Sequence, residues 1–188
     1  LASINCGYNP SEVIKTQMKT TLLALFALVL PVLAQGPNPK ENPIAAAAAG
    51  LYMTVANNVM KSIEKMPADK FSFKATDGVY TFAEFAGHLS DANYNFCTAV
   101  TGGEKKGGFK AKTDKAELLA AFKGSMEECT KAWGITTDKS LAEVKAPGNR
   151  PVAFGLFLNT SHTWEHYGNM VTYLRMNGLV PPSSEPKK

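Results

Sequence analysis

Leu51, Val55, Val59 and Ile63 recur at every fourth position, with Asn, Lys and Glu between them. That spacing draws one apolar stripe along an α-helix and does not fit a strand, whose faces alternate with a period of two. Three further segments carry the same period, and each is bounded by helix start and stop signals. The first segment, Ile44 to Met66, has Pro43 placed for a first helical turn and Pro67 to end it. In the second, Thr81 is an N-cap with Glu84 as its capping-box partner, and Phe82, Phe85, Leu89, Ala92 and Phe96 share one face before Thr101-Gly102-Gly103 stops it. The third is capped by Thr113 or Asp114, with Glu117 in its first turn. Its stripe is Leu118, Phe122, Met126 and Cys129 or Trp133, and Gly134 ends it. The fourth is expected to start at Asn149-Arg150-Pro151. Phe154, Leu158, His162, His166 and Met170 or Tyr173 form its inner line, and Gly178 with Pro181-Pro182 closes it.

Between these segments, residues 66–80 read as a packed loop around Phe71 and Phe73. Residues 104–113 form a Gly/Lys-rich loop, and 135–150 a connector with a short turn at 140–144. The sequence has no glycine-rich phosphate loop and no internal repeat. Four amphipathic helices in a chain of 188 residues define an all-α fold, a four-helix bundle over residues 44–182, with a loose polar tail at 183–188.

The N-terminal part reads differently. Met18-Lys19 opens an export signal, Leu22 to Ala34 is a near-continuous apolar run, and Val32-Leu33-Ala34 offers the residues a signal peptidase reads, with Gln35 as the mature start. A run of 13 residues falls short of the ~20 needed to span a bilayer. A buried core helix is the alternative, and Pro31 with the Pro-rich linker at 35–43 argues against it. The expectation is a leader at 1–34, its signal peptide at 18–34, and an exported periplasmic or extracellular domain with no stable membrane span. Charge adds one exclusion. The net +4 comes from scattered basic residues whose only adjacent pairs are Lys105-Lys106 and Lys187-Lys188. That leaves no basic stripe for nucleic acid.

The chemistry rests on three histidines, the full complement of the chain. His162 and His166 are four residues apart on one helix, which puts both rings on one face, about 6 Å apart along the axis. His88 lies between Phe85 and Leu89 on a face that looks into the bundle. Three neutral nitrogen donors with a further position left to water is the open pattern of catalytic zinc sites. An H-x-x-x-H pair alone is a weak signal, and hydrogen-bonded core histidines are the structural alternative.

The Gly87-His88-Leu89 step, the His162-x-x-x-His166 pair and the ending Tyr173-Leu174-Arg175-x-x-Gly178-x-x-Pro181-Pro182 together resemble the DinB/YfiT-like family over residues 44 to 182. The resemblance implies a bundle in down-up-up-down order and one divalent metal ion held by His88, His162 and His166. Many members have Arg-Gly-Gln after the last ligand; here the sequence is Tyr167-Gly168-Asn169. Helices two and three run parallel in that family, which would bring Cys97 and Cys129 to the same pole. A disulfide then becomes possible if the Cα atoms come within about 7 Å, two buried thiols being the alternative.

Around the ligands, Asp91 and Asn95 follow His88 at helical spacing, and Asp91 is a candidate to orient its imidazole. Glu165 is a candidate outer partner or base, or a solvated carboxylate. Trp164, Tyr167 and Tyr173 are candidates to line a pocket, or core residues. The metal is open between zinc, nickel, copper and iron, since imidazole suits all. The family includes thiol-cofactor-dependent transferases and isomerases, and members described as metal-dependent hydrolases. The expected functions are therefore a metal-dependent hydrolase or transferase acting on an unknown small molecule, a non-catalytic metal-binding or stress-related bundle, or a bundle without metal. A homodimer is a further expectation.

Overall fold

A computed structural model describes residues 36–146 and 148–186. The leader at 1–34, including the signal peptide at 18–34, lies outside them. Among the described residues, helices α1 (Pro43–Lys65), α2 (Phe82–Thr101), α3 (Lys115–Gly134) and α5 (Val152–Met176) form the bundle. A single turn, α4 (Asp138–Leu141), and a two-stranded hairpin of β1 (Val144–Ala146) and β2 (Arg150–Pro151) lead into α5.

The helix starts follow from where their first N–H groups find acceptors. The Thr81 side chain takes the Glu84 N–H and the Glu84 carboxylate takes the Thr81 N–H at 2.7 Å, the reciprocal box expected for α2. Asp114 caps α3 by accepting from the Glu117 N–H at 2.8 Å. The cap of α1 comes from elsewhere in the chain. Asp138, in α4, accepts from the N–H groups of Ile44 and Ala45 at 3.2 and 2.8 Å, and its own N–H donates to Asn42 Oδ1 at 3.0 Å. The starts of α1 and α4 thus satisfy one another.

The fourth long helix does not begin at Asn149-Arg150-Pro151. Gly148 and Asn149 both take positive φ, 77° and 55°, as a tight reversal requires. Arg150–Pro151 pairs antiparallel with β1 instead, and α5 starts one residue after the proline. The proline suits a helix entry or a strand end equally well, so its position alone did not choose between them.

Burial refines the stripes. Val55, Val59 and Ile63 are fully buried, whereas Leu51 is 59% exposed and Tyr52 takes the inner position. On α5 the expected inner line is rotated. Phe154 and Leu158 are 42% and 39% exposed. The buried positions are Val152, Leu156, Asn159, Thr163, Tyr167, Met170, Tyr173 and Leu174. The cause is two polar core residues that an apolar period cannot anticipate. Thr163 Oγ1 donates to the Asn159 carbonyl at 2.7 Å, and Asn159 Nδ2 donates to Asn93 Oδ1 at 3.0 Å, so both side-chain donors are satisfied, while Asn159 Oδ1 is buried without a partner.

Two apolar clusters divide the core along its length. One joins Val59, Ile63, Phe82, Leu118, Tyr167 and Leu174 with their neighbours; the other joins Ala45, Tyr52, Cys97, Cys129, Trp133 and Leu156. The first draws on the C-terminal halves of α1 and α5 and the N-terminal halves of α2 and α3, and the second on the opposite halves. Hence α1 and α5 run one way and α2 and α3 the other, the down-up-up-down order. The loop before α2 is packed as expected: Phe71 meets Phe82 edge-on at 5.3 Å, and the carbonyls of Phe71 and Phe73 accept the Ala83 and Phe82 N–H groups at 2.9 and 3.0 Å. The tail differs from expectation. The Ser183 N–H donates to Tyr167 Oη at 3.0 Å, and Lys65 pairs with Glu185, so the chain is tied down to that point.

Candidate metal centre

Helix α2 presents His88, and α5 presents His162 and His166 one turn apart. Their Nε2 atoms converge: His162 Nε2 lies 2.9 Å from His88 Nε2 and 3.0 Å from His166 Nε2. One ring nitrogen from each residue falls within 4.8 Å of the others, and all three residues are half-buried. Among the described residues, no fourth His, Cys, Asp or Glu joins the group.

This arrangement is poorly satisfied by protein alone. A neutral imidazole nitrogen is either an N–H or a lone pair. His162 Nε2 faces two neighbours and can serve them only by sharing one hydrogen or one lone pair. In the second case its proton sits on Nδ1, which is buried with no hydrogen-bond partner. A cation that accepts one lone pair from each ring removes the conflict at Nε2, so the donor set fits a divalent metal.

The rings are also in the protonation state that a metal needs. Burial lowers the basicity of all three below the usual imidazole value. His166 falls furthest, to about 4, because burial is joined by the neighbouring His162 and His88 rings. The negative charge of exposed Glu165 acts in the opposite direction on each ring, more weakly than burial.

Aromatic side chains brace the cluster from below. Tyr80 meets His88 edge-on at 5.6 Å, Phe85 lies 5.4 Å from His166, and Tyr173 stands perpendicular to Phe85 at 5.4 Å. The Tyr173 hydroxyl donates to the Tyr80 carbonyl at 2.6 Å, which fixes the Tyr80 backbone. The Asn169 side-chain amide approaches His166 Nδ1 at 3.5 Å, the place where a ligand imidazole takes an orienting partner.

Asp91 does not take the role expected of it. Its carboxylate accepts the backbone N–H groups of Phe109 and Lys110 at 2.9 and 3.1 Å, so it holds the α2–α3 connector, and its charge reaches His88 only through space. Asn95 is exposed. Tyr167 and Tyr173 are core residues, and Trp164 is 38% exposed with its ring edge on Tyr167. Sequence reasoning missed Tyr80, Lys110 and Asn169. For Asn169 a signal existed, since it follows His166 by three residues on the same helix. Tyr80 lies in a loop and Lys110 in a single 3-10 turn, Phe109–Ala111, and neither carries a periodic signal.

Away from the histidines, in the other apolar cluster, Cys97 and Cys129 are joined in a disulfide with Cα atoms 4.9 Å apart and both residues fully buried. The parallel course of α2 and α3 brings them together.

Fold and site together define an antiparallel-and-parallel four-helix bundle with a three-histidine candidate site for a divalent metal. The sequence profile described as "DinB superfamily" matches residues 52–170, a span that holds all three histidines. The chain belongs to the DinB superfamily. A crystal structure of a DinB-like protein from Bacillus cereus ATCC 10987 shares the fold at a TM-score of 0.60 and 20% identity, covering 72% of this chain and 93% of that one. No curated protein matches the chain.

Proposed function

We propose that the chain binds one divalent metal ion through His88, His162 and His166 and acts as a metal-dependent hydrolase or transferase on a small molecule. The observation that carries this reading is the convergence of three Nε2 atoms from two helices, at 2.9 and 3.0 Å, in rings that keep some exposure to solvent. A metal in such a site polarises a carbonyl or activates bound water or a thiol. The protein's own part is to hold three neutral donors in place. Burial keeps the rings unprotonated, the packing of Tyr80 and Phe85 sets two ring planes, and the half-exposed position lets a small molecule reach them. Three neutral ligands also leave the ion's charge uncancelled, which suits electrophilic chemistry better than storage in a closed site.

The test is elemental analysis of the full chain, purified without a histidine tag, beside a His162→Ala/His166→Ala variant. We expect about one equivalent of metal in the first and none in the second, because each substitution removes a ligand. Equal metal content in both overturns the site.

A further inference from the structure

The connector from α2 to α3, residues 102–114, is pinned beside the histidines at two points. A Cβ on Gly87 would stand 2.1 Å from the Phe109 carbonyl oxygen, so the connector lies directly on the α2 backbone where only glycine leaves room. One turn further on, Asp91 holds the Phe109 and Lys110 N–H groups with its two carboxylate oxygens. Both anchors lie within a turn of His88. They fix the backbone from which the Lys110 side chain departs.

That side chain has a defined place. Lys110 Nζ stands 3.8 Å from the centre of the Tyr80 ring, and the same ring meets His88 edge-on at 5.6 Å. An aromatic face holds an ammonium without neutralising it. Lys112, on the same connector, is instead paired with Glu117 at 2.7 Å. Among the described residues, no carboxylate oxygen lies within ion-pair distance of Lys110. The nearby acidic groups are engaged or outlying: Glu84 is bonded into the α2 capping box, Asp91 holds two backbone N–H groups, and Glu165 is exposed on α5. The charge of Lys110 is felt at His88.

We propose that Lys110 is the anion-positioning residue of the site, and that the small molecule acted on carries a carboxylate or phosphate group. That group would bind Lys110 Nζ on the rim while the reacting end lies at the histidine cluster. The proposal rests on the metal-site reading above and deepens it by naming the substrate class. An ammonium on a pinned backbone, seated on an aromatic ring beside three neutral metal donors and in no ion pair among the described residues, is a binding arrangement, although its charge is also felt at the Glu84 carboxylate.

The experiment uses the full chain loaded with cobalt(II), with inorganic phosphate and acetate as probes of the visible spectrum. Lys110→Met keeps the stem over Tyr80 and removes the charge, Lys110→Arg keeps the charge, and Lys112→Met removes a charge from the same connector that does not face the site. All four proteins are expected to hold the same amount of cobalt. In Lys110→Met the apparent Kd of both probes should rise about tenfold, and in Lys110→Arg and Lys112→Met it should stay within about threefold of the parent. An unchanged Kd in Lys110→Met overturns the proposal, as does an equal loss in Lys112→Met or a parent spectrum that neither probe perturbs. Failure of the parent to take up cobalt is a separate result: it overturns the metal reading, and this one with it.

Discussion

At the histidine cluster, burial, joined at His166 by the neighbouring rings, keeps the imidazoles neutral and sets the response of the site to acid. In an unfolded chain each imidazole titrates near 6.5. In the folded protein burial lowers all three, His166 to about 4. Between those values the unfolded chain binds a proton that the folded one refuses, so acid favours unfolding. The contribution of these rings to stability is complete above about 6.5 and is lost as the pH falls towards 4. The thermal midpoint of metal-free protein should therefore drop across that window, and drop less in His166→Gln, whose amide does not titrate. Calorimetry on both proteins from pH 7 to 4 decides it, and parallel curves would sink the idea. The three histidines were legible in the sequence because one pair is local, four residues apart on a helix, and the third lies on a helix with a readable stripe. What surrounds them was not. Asp91 shares the helical spacing of an orienting partner, yet the unsatisfied backbone of a loop 18 residues away claims its carboxylate.

Among the elements, boundaries marked by local chemistry were readable and those made by tertiary contact were not. Thr81 with Glu84 and Asp114 with Glu117 are caps whose donor and acceptor lie three residues apart, so the sequence displays both halves. The α1 cap is supplied by Asp138, while Asn42 accepts the Asp138 N–H in return, and the two lie in segments that meet only in the folded chain. Asp138→Ala removes the acceptor for two N–H groups and should cost about 1–2 kcal/mol, at the upper end for N-caps because it also unlocks α4 from α1. Chemical denaturation measures it, and a loss no greater than a few tenths of a kcal/mol would show that solvent caps α1 equally well. On α5, Phe154 and Leu158 kept the apolar period but lie on the exposed side, while Asn159 and Thr163 occupy the core. Periodicity weighs hydrophobicity alone, and here the Asn159–Asn93 bond between helices and the Thr163 bond to its own helix let polar residues take the core.

For the whole molecule, the order of the helices was reached only through family resemblance, because no residue pattern states whether two helices run parallel. The disulfide records that order. It closes a loop of 32 residues in sequence separation, which on chain-entropy grounds stabilises the fold by about 3–4 kcal/mol. Cys97→Ala/Cys129→Ala should lose roughly that amount in denaturant titration and take up as much added cobalt(II) as the parent, since the bond and the histidines lie in different halves of the bundle. A folded variant that takes up less than the parent would show that the two halves are coupled.

Running α2 and α3 side by side also obliges the chain to travel back. Each helix has 20 residues, about 30 Å, and the intervening segment retraces that length along the outside of α2. It passes Gly87 and His88 on the way, and Lys110 comes to the histidines by that route. Phe109 stacks on Tyr94 and seats its carbonyl on Gly87, so this return path is packed against α2 while the Lys110 side chain leaves it towards Tyr80. The parallel pairing of α2 and α3 thus places a loop side chain beside the histidines that no helix of the bundle supplies.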